Sequence, residues 1–584
     1  MLTPNNGKNS KHEENIAIMK SCKRKLGGIE SQIVNVWGVV GSLLNLYSLF
    51  VAKWTLYVHM SLSFLFTLSL VFLIYKRNET VPSNERERIA FYDWILAILA
   101  LLPNFYIIFF WTDLINRVAR PSLLDLSMAF LLIILILEGC RRVMGSILPL
   151  IALCFTAYAL LGQYIPGALQ HRGTDFARYL AIQFMSTEGV FSSPTQTASR
   201  MIFIFTVMNI AFAFAGRFVG GPAKVAVVSS GLMGMVSGSA SANVATTGQF
   251  TIPMMKELGF SNRMAGAVEA VASTGGTLAP PVMGAGAFIM AEMLGISYFE
   301  VVKAAAIPAI IYYICAFFVV HFESKRLGLL GLDPATLPSK KNAVLDGMLV
   351  LIPIATLLTL VFRFYPVMRS ALISTIMIVI ISWFYKDLRM TPRKIFIALS
   401  DGMKGLIPLS MCCATAGIIV GCIQLTGLGI KFASVLSTLS NGSGFIALVL
   451  GMIVVIILGM GLPATAAYVV GATVVGPALL KMGFDPLPAQ MFIFYYSCLA
   501  QITPPVALAS YVGASIAECD PLECAVTSMR LGLVALIVPF MFIYNPTLLW
   551  IGEGGAILFD ATMAILGVIV CSCGLAGFFT TMHC

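Results

Sequence analysis

Two stretches of small polar residues carry the groups in this chain best suited to holding a small ion. They are Ser237-Gly238-Ser239-Ala240-Ser241-Ala242-Asn243 and Gly459-Met460-Gly461-Leu462-Pro463-Ala464-Thr465. In the first, Ser237, Ser239, Ser241, Asn243, Thr246 and Thr247 supply oxygens without formal charge. Such oxygens suit a desolvated monovalent cation, or a carboxylate held by nearby backbone N–H groups. Downstream of each stretch lies a proline pair, Pro280-Pro281 and Pro504-Pro505. Hydroxyl and amide residues precede both pairs: Ser273, Thr274 and Thr277 in one case, Ser497, Gln501 and Thr503 in the other. Consecutive prolines remove donors and clash with the preceding turn, so they unwind a helix and free carbonyls that an ion can use. Taken singly, close helix packing by small residues and a simple proline kink would explain these features.

Duplication shifts the balance towards a site. Pro253, Gly259-Phe260 and Pro280-Pro281-Val282 recur as Pro477, Gly483-Phe484 and Pro504-Pro505-Val506 on one ungapped offset of 224 residues. Each unit reads as a re-entrant hairpin, about 222–253 and 444–477, followed by a broken helix, about 264–291 and 489–516. A re-entrant hairpin is tolerated at membrane depth only where its irregular backbone is buried in protein or faces water. Duplicated, Gly- and Pro-interrupted segments of this kind mark the substrate and coupling-ion site of secondary transporters.

The elements around these units belong to a membrane. The 584 residues are 58% hydrophobic and 11% charged, with mean hydropathy +0.90, too little polar surface for a soluble fold of this length. Apolar runs of spanning length occur at Val34–Val51, Leu56–Tyr75, Trp94–Phe110, Leu123–Leu137, Ile147–Leu161 and Met201–Ala215. Further runs are Val301–Val320, Ala343–Val361, Ile373–Phe384, Gly405–Ile423, Ala525–Tyr544 and Ile557–Phe579. The expected fold class is therefore an all-α polytopic membrane protein. Lys20, Lys23, Arg24 and Lys25 before the first run, and Lys76, Arg77, Arg86 and Arg88 after the second, place the N-terminus in the cytoplasm by the positive-inside rule. Counting spans from there, the two duplicated units enter from opposite faces. The net charge of +10 is thus topology and implies no nucleic-acid partner. The polar, basic first thirty residues do not read as a cleavable signal peptide.

Other chemistries lack their residues. No GxxxxGK[ST] phosphate loop is present, and His12, His59, His171, His321 and His583 are scattered without metal spacing. The 13 cysteines lie mostly in apolar runs, so no zinc site, cofactor or catalytic residue is expected and the chain does not read as an enzyme. Glu269 and Glu292 flank the first broken helix and are candidates to carry protons in place of another cation, because ionisable residues within spans default to function. Their mates are Ile493 and Ile516, so the symmetric site leaves them out. Asp387–Lys404 and Thr174–Thr187 read as amphipathic arms lying along the membrane surface.

Gly220 to Val228, Ser237 to Gly248, Gly266 to Gly276, Pro280 to Ala285 and His321 to Leu329 resemble the large membrane subunit of tripartite ATP-independent periplasmic (TRAP) transporters. Glu138 with Arg141-Arg142, Pro166-Gly167 and Thr187-Glu188-Gly189 resemble the junction of small and large subunits in the family's single-chain form. The resemblance implies an inverted-repeat, elevator-type, sodium-coupled importer of organic acids in a bacterial or archaeal inner membrane. It implies as partner a periplasmic substrate-binding protein, of TAXI type for the fused form. By motif match, sodium is expected at Ser237, Gly238, Ser239 and Asn243 with Gly275 and Gly276. A second sodium is expected at Gly459, Gly461 and Thr465 with Gln501 and Thr503, and substrate near Ser241, Thr277 and Ala464. Pro280, Pro281, Pro504 and Pro505 are the structural helix breaks.

The implied organisation is a basic N-terminus (1–30), small-subunit-like scaffold helices (31–140), a first repeat (141–342), a second repeat (343–550) and an extra C-terminal span (551–584). One departure from the family pattern is a shortened interval between Met201 and Pro222, where the second half carries Leu425-Thr426-Gly427-Leu428-Gly429 through Ser443. The ending at Cys584 also reads as short for this type. Two alternatives follow: a scaffold-only component without turnover, and a carboxylate carrier that needs no binding protein.

Overall fold

The computed structural model describes residues 21–575 apart from 25, 53, 81–87, 168–169, 204–226, 228–229, 232, 236, 327–351, 354, 358, 361–362, 364 and 384–388. The expected runs at Met201–Ala215 and Ala343–Val361, the motif from Gly220 and the shortened interval before Pro222 lie wholly or largely outside the described residues. Among those described, nine helices are long and apolar enough to cross a membrane.

The N-terminal part is built from α1 (Gly28–Tyr47), α2 (Leu56–Ile74), α3 (Phe91–Arg117) and α4 (Leu123–Met144). Unlike its neighbours α2 is sheathed in protein, with 94% of its apolar stretch buried. A feature absent from the sequence reading is a two-stranded antiparallel ribbon, β1 (Ser21–Lys23) with β2 (Tyr75–Thr80). Arg24 follows β1, and its N–H donates to the Ile74 carbonyl over 2.8 Å. Its guanidinium pairs with the fully buried Asp93, which Arg142 grips from the other side at 2.6 Å. A buried carboxylate is tolerable only with such partners. Arg24, one of the basic residues before the first span, thus has a structural task.

After α5 (Ile147–Leu161) and α6 (Phe176–Met185), the first duplicated unit supplies α8 (Ala240–Glu257), α9 (Asn262–Leu278) and α10 (Ala285–Leu294), α7 being the short turn Ser193–Thr197. Then come α11 (Tyr298–Arg326), α12 (Val367–Ser382) and α13 (Pro392–Thr426). The second unit follows α14 (Leu428–Leu439) as α15 (Gly444–Gly459), α16 (Ala464–Lys481), α17 (Pro486–Leu499) and α18 (Leu508–Ala517). The chain closes with α19 (Pro521–Gly532), α20 (Val538–Tyr544) and α21 (Gly554–Leu575).

Two expected boundaries are corrected. The arm beginning at Asp387 and the span from Gly405 are, from Pro392 on, one 35-residue helix, about 50 Å long at the usual helical rise. A change from basic to apolar composition does not interrupt a backbone. This helix is the strut on which the N-terminal part rests. Ser42 donates to the Leu399 carbonyl over 2.7 Å, Thr67 meets Ser410 at 3.1 Å, and Gln183 of α6 donates to the Ile418 carbonyl over 3.0 Å. Conversely, the single run Ala525–Tyr544 is bent by 58° between α19 and the following segment, with Pro539 in the first turn of α20, where its fixed φ starts a new helix.

The duplicated positions have duplicated backbones. Gly259 and Gly483 have φ of 95° and 90° and end α8 and α16 the same way. Phe260 N–H reaches the Met255 carbonyl at 3.1 Å, and Phe484 N–H the Leu479 carbonyl at 3.2 Å. This is the glycine-terminated helix end that only a residue without Cβ enters freely. Both prolyl pairs, Pro280-Pro281 and Pro504-Pro505, are cis. The two units also interlock. A Cβ on Gly513 would lie 2.6 Å from the Gly266 carbonyl oxygen, so α9 and α18 cross with backbones in contact, as small residues permit. Next to this crossing Lys256 donates to the Ala517 carbonyl at 3.1 Å and Arg263 lies 3.8 Å from Glu523. The base of the first hairpin and the end of the second broken helix therefore share one membrane face.

Candidate functional site

Each hairpin tip docks on the break of its own repeat. Gly238, with φ of 64°, sits so close to the first break that a Cβ there would be 2.5 Å from the Met283 carbonyl oxygen. Gly461, with φ of 73°, donates its N–H to the Val506 carbonyl over 3.2 Å. The tips lead directly into α8 and α16, whose N-terminal ends bring free N–H groups and positive dipole ends to the same places.

At the first tip Asn243 and Gly276 both lie against Gly234, whereas Gly275 faces Tyr312 and Tyr313. Gly276 opposes Gly234, where a Cβ would lie 2.5 Å from the Gly234 Cα. Ser237 donates to the Gly234 and Ser239 carbonyls only at 3.5 Å, and Ser239 accepts from the Ala242 N–H at 3.5 Å. These are loose bonds, leaving both hydroxyls able to turn to a ligand. Asn243 is fully buried. Its Nδ2 donates to the Ser230 carbonyl (2.8 Å), the Ser230 Oγ (3.0 Å) and the Ser273 Oγ (2.9 Å). A backbone carbonyl accepts only, which fixes the amide orientation. The Asn243 Oδ1 is then left buried with no donor. An orphaned acceptor of this kind costs about 1–3 kcal/mol unless something fills it.

The second tip is more tightly closed. Gln501 donates to the Leu462 carbonyl, and Thr503 donates to the Leu499 carbonyl at 2.9 Å. Gly459 packs on the break, with Ala500 Cβ 2.8 Å from where a Cβ would be. Thr465 is buried at the start of α16. Between the repeats, Thr277 lies beside the Cys498 thiol, while its own hydroxyl donates to the Thr274 carbonyl over 2.7 Å. Ser241 and Ala464 are only partly covered. No hydrogen bond joins Ser241, Thr277 and Ala464 among the described residues.

One expectation needs correction. The carbonyls freed by the proline pairs are not all open to an ion. Tyr298 donates to the Pro281 and Val282 carbonyls at 2.9 and 2.6 Å, and Tyr511 donates to the Pro505 carbonyl. A phenol thus takes up carbonyl oxygens at each break. Sequence reasoning missed both tyrosines because they are not mates on the repeat offset. It also missed Ser230 as the partner of Asn243.

The two flanking acids are separated. Glu292 is exposed and accepts from Gln196 at 2.8 Å, whereas Glu269 is fully buried and linked through Ser230 and Ser273 to Asn243.

Residues 131–553 match the family model described as the DctM component of tripartite ATP-independent periplasmic transporters. The chain is 26% identical over 399 residues to a Haemophilus influenzae protein described as a TRAP transporter large permease, covering 67% of this chain and 88% of the relative. It is 23% identical over 378 residues to the 2,3-diketo-L-gulonate TRAP transporter large permease of Escherichia coli K12, covering 64% and 86%. It is 23% identical over 365 residues to the Pseudomonas aeruginosa C4-dicarboxylate TRAP transporter large permease, covering 62% and 82%. Among solved structures, a Neisseria gonorrhoeae efflux pump aligns with a TM-score of 0.46 at 13% identity, over 74% of this chain and 98% of the pump.

Proposed function

We propose, on the premise that this chain belongs to the family of the DctM component of tripartite ATP-independent periplasmic transporters, that it is a sodium-coupled importer of an organic acid. The acid, a carboxylate or amino acid, is delivered by a periplasmic binding protein of the TAXI type. The relatives named for 2,3-diketo-L-gulonate and C4-dicarboxylates support an acidic substrate. The observation that carries the sodium reading is the buried, donorless Oδ1 of Asn243, on the same hairpin as the loosely held hydroxyls of Ser237 and Ser239. These uncharged oxygens fit a desolvated monovalent cation. Gly275, Gly276, Gly238 and their counterparts Gly459, Gly461, Thr465, Gln501 and Thr503 complete two sites, with substrate between them near Ser241, Thr277 and Ala464.

The family match begins at residue 131, which leaves α1, α2 and α3 before it and supports a fused small subunit over 31–140. In this reading the N-terminal helices and α13 form a frame in the inner membrane, N-terminus inside, and the interlocked hairpins and broken helices move as one body against it. Uptake tests the proposal. Proteoliposomes with purified binding protein and labelled carboxylate should accumulate label only under an inward sodium gradient. Equal accumulation without sodium or without the binding protein would overturn it.

A further inference from the structure

We propose that Glu269 binds and releases a proton during the transport cycle, at a site present in the first repeat alone. This rests on the transporter reading above, though not on sodium being its coupling ion.

Glu269 lies on α9 with no exposed surface. Its Oε1 accepts from Ser230 at 2.8 Å, Thr247 at 2.5 Å and Ser273 at 3.3 Å, and its Oε2 from Thr251 at 2.6 Å. Among the described residues no cation pairs with it. From α11 it faces Tyr313, whose hydroxyl donates to the Ala272 carbonyl at 3.2 Å, and from α18 Ile516 packs beside it at Gly248. Lys256 and Arg263, at the end of α8 and the start of α9, pair with Glu518 and Glu523. An unpaired carboxylate so placed costs several kcal/mol to bury, and such groups take up a proton instead.

The hydroxyl cage is built for both charge states. Each hydroxyl carries one hydrogen and has a second acceptor. Thr247 reaches the Asn243 carbonyl at 2.8 Å, Thr251 the Thr247 carbonyl at 3.1 Å, and Ser230 and Ser273 reach each other at 2.8 Å. With Glu269 ionised, the hydrogens point at the carboxylate. When a proton adds to Oε2, the new O–H donates to Thr251, whose own hydrogen swings to the Thr247 carbonyl. One O–H bond forms at Oε2 as one breaks in the hydronium ion that delivers the proton from the aqueous side, leaving water, and no heavy atom of the cage has to move.

The cage also touches the cation site. Ser230 and Ser273 accept from Asn243, so the charge on Glu269 decides how the hydrogens next to that residue point. In the second repeat the positions of Ser230, Asn243, Thr247, Thr251 and Glu269 hold Val454, Ala467, Gly471, Val475 and Ile493. The constellation is missing there as a unit, leaving only Ser497 opposite Ser273. A carboxyl serving merely as packing would not explain why three of its four hydroxyl partners, Ser230, Thr247 and Thr251, are lost with it.

Infrared difference spectroscopy on the full-length protein in sodium-free proteoliposomes reads the proton without substrate or turnover. The expected result is a protonated-carboxyl band that titrates away at alkaline pH, shifts in heavy water and is lost in Glu269→Gln. In binding-protein-dependent uptake, the wild type should vary with pH while Glu269→Gln retains transport with a flat profile. The proposal is overturned by a band unchanged in Glu269→Gln, by one that neither titrates nor exchanges, or by a variant keeping the wild-type pH profile. If Glu269→Gln fails to fold, Glu269→Asp and Thr251→Val replace it. Both must move the midpoint of the band, and an unmoved midpoint counts against the proposal. Failure of uptake alone, with the band behaving as expected, would strike the transporter reading and with it the proton's part in a cycle.

Discussion

The Nδ2 of Asn243 donates to the backbone carbonyl of Ser230 over 2.8 Å, and this one bond turns the Oδ1 of the same amide into a buried acceptor without a donor. If a cation fills that position, Asn243→Leu removes a ligand while keeping most of the volume. A bond to a charged group contributes about 1.5–3 kcal/mol, so the apparent sodium affinity in uptake should weaken roughly 10- to 150-fold. A Leu variant with unchanged sodium dependence would place the ion elsewhere.

Gly238 and Gly461 are not equivalent under substitution. Both have positive φ, which costs an L side chain about 1–2 kcal/mol. The Cβ of Gly238→Ala would also meet the Met283 carbonyl oxygen at 2.5 Å, whereas that of Gly461→Ala meets the side-chain ends of Ile147 at 2.7 Å and Val506 at 3.1 Å. Side chains yield and backbone does not. Gly238→Ala should therefore lower the thermal unfolding midpoint in detergent more than Gly461→Ala, and lose more uptake. The reverse order would mean that the first tip does not rest on its break in the working protein.

What was legible in the sequence was whatever the backbone demands by residue identity. Gly259 and Gly483 end helices that need positive φ, and the proline pairs break helices that nothing else would break. These constraints survive duplication, so the offset exposed them. Partners that satisfy a carbonyl can come from anywhere in the fold: Tyr298 serves the first break from eighteen residues beyond Pro280 and Tyr511 the second from seven residues beyond Pro504. No period links them. The crossing of Gly266 with Gly513 joins residues of different repeats that are not mates, and the ribbon of β1 and β2 has no alternating pattern to announce it. The long strut α13 reads as two elements because its composition changes along its length while its backbone does not.

Asp93 ties the first strand to the bundle by holding both Arg24 and Arg142. Arg142 also bonds Glu138 at 2.8 Å and lies over the Phe72 ring at 5.0 Å. Asp93→Asn keeps the shape and leaves the Arg24 guanidinium buried without a counter-charge. Breaking a buried pair in this way costs about 3–5 kcal/mol. The variant should unfold at a clearly lower temperature, while its folded fraction still binds sodium as the wild type does. A small loss, or a loss of sodium binding without loss of stability, would contradict the anchoring role.

Cys519 tests which way round the repeats lie. It follows α18 at the face where Lys256 and Arg263 of the first unit meet Glu518 and Glu523, the face that charge placement assigns to the cytoplasm. Its thiol is half-buried, and a hydrogen bond from Cys524 holds it below the ordinary thiol range, against the opposing effect of burial. The reactive thiolate is thus present at lower pH than in a free cysteine, and reaction should fall off only as pH drops through that lowered value. A membrane-impermeant maleimide should modify Cys519 in inside-out vesicles and not in right-side-out ones, with Cys519→Ser removing the signal. Cys154 and Cys571 are also exposed, within the apolar helices α5 and α21, and supply the background that the Ser variant subtracts. Labelling from the outer face alone would invert the whole arrangement. The first hairpin would then open outward, and the basic residues Arg24, Lys76 and Arg77 would stand at the wrong surface for the rule that placed them.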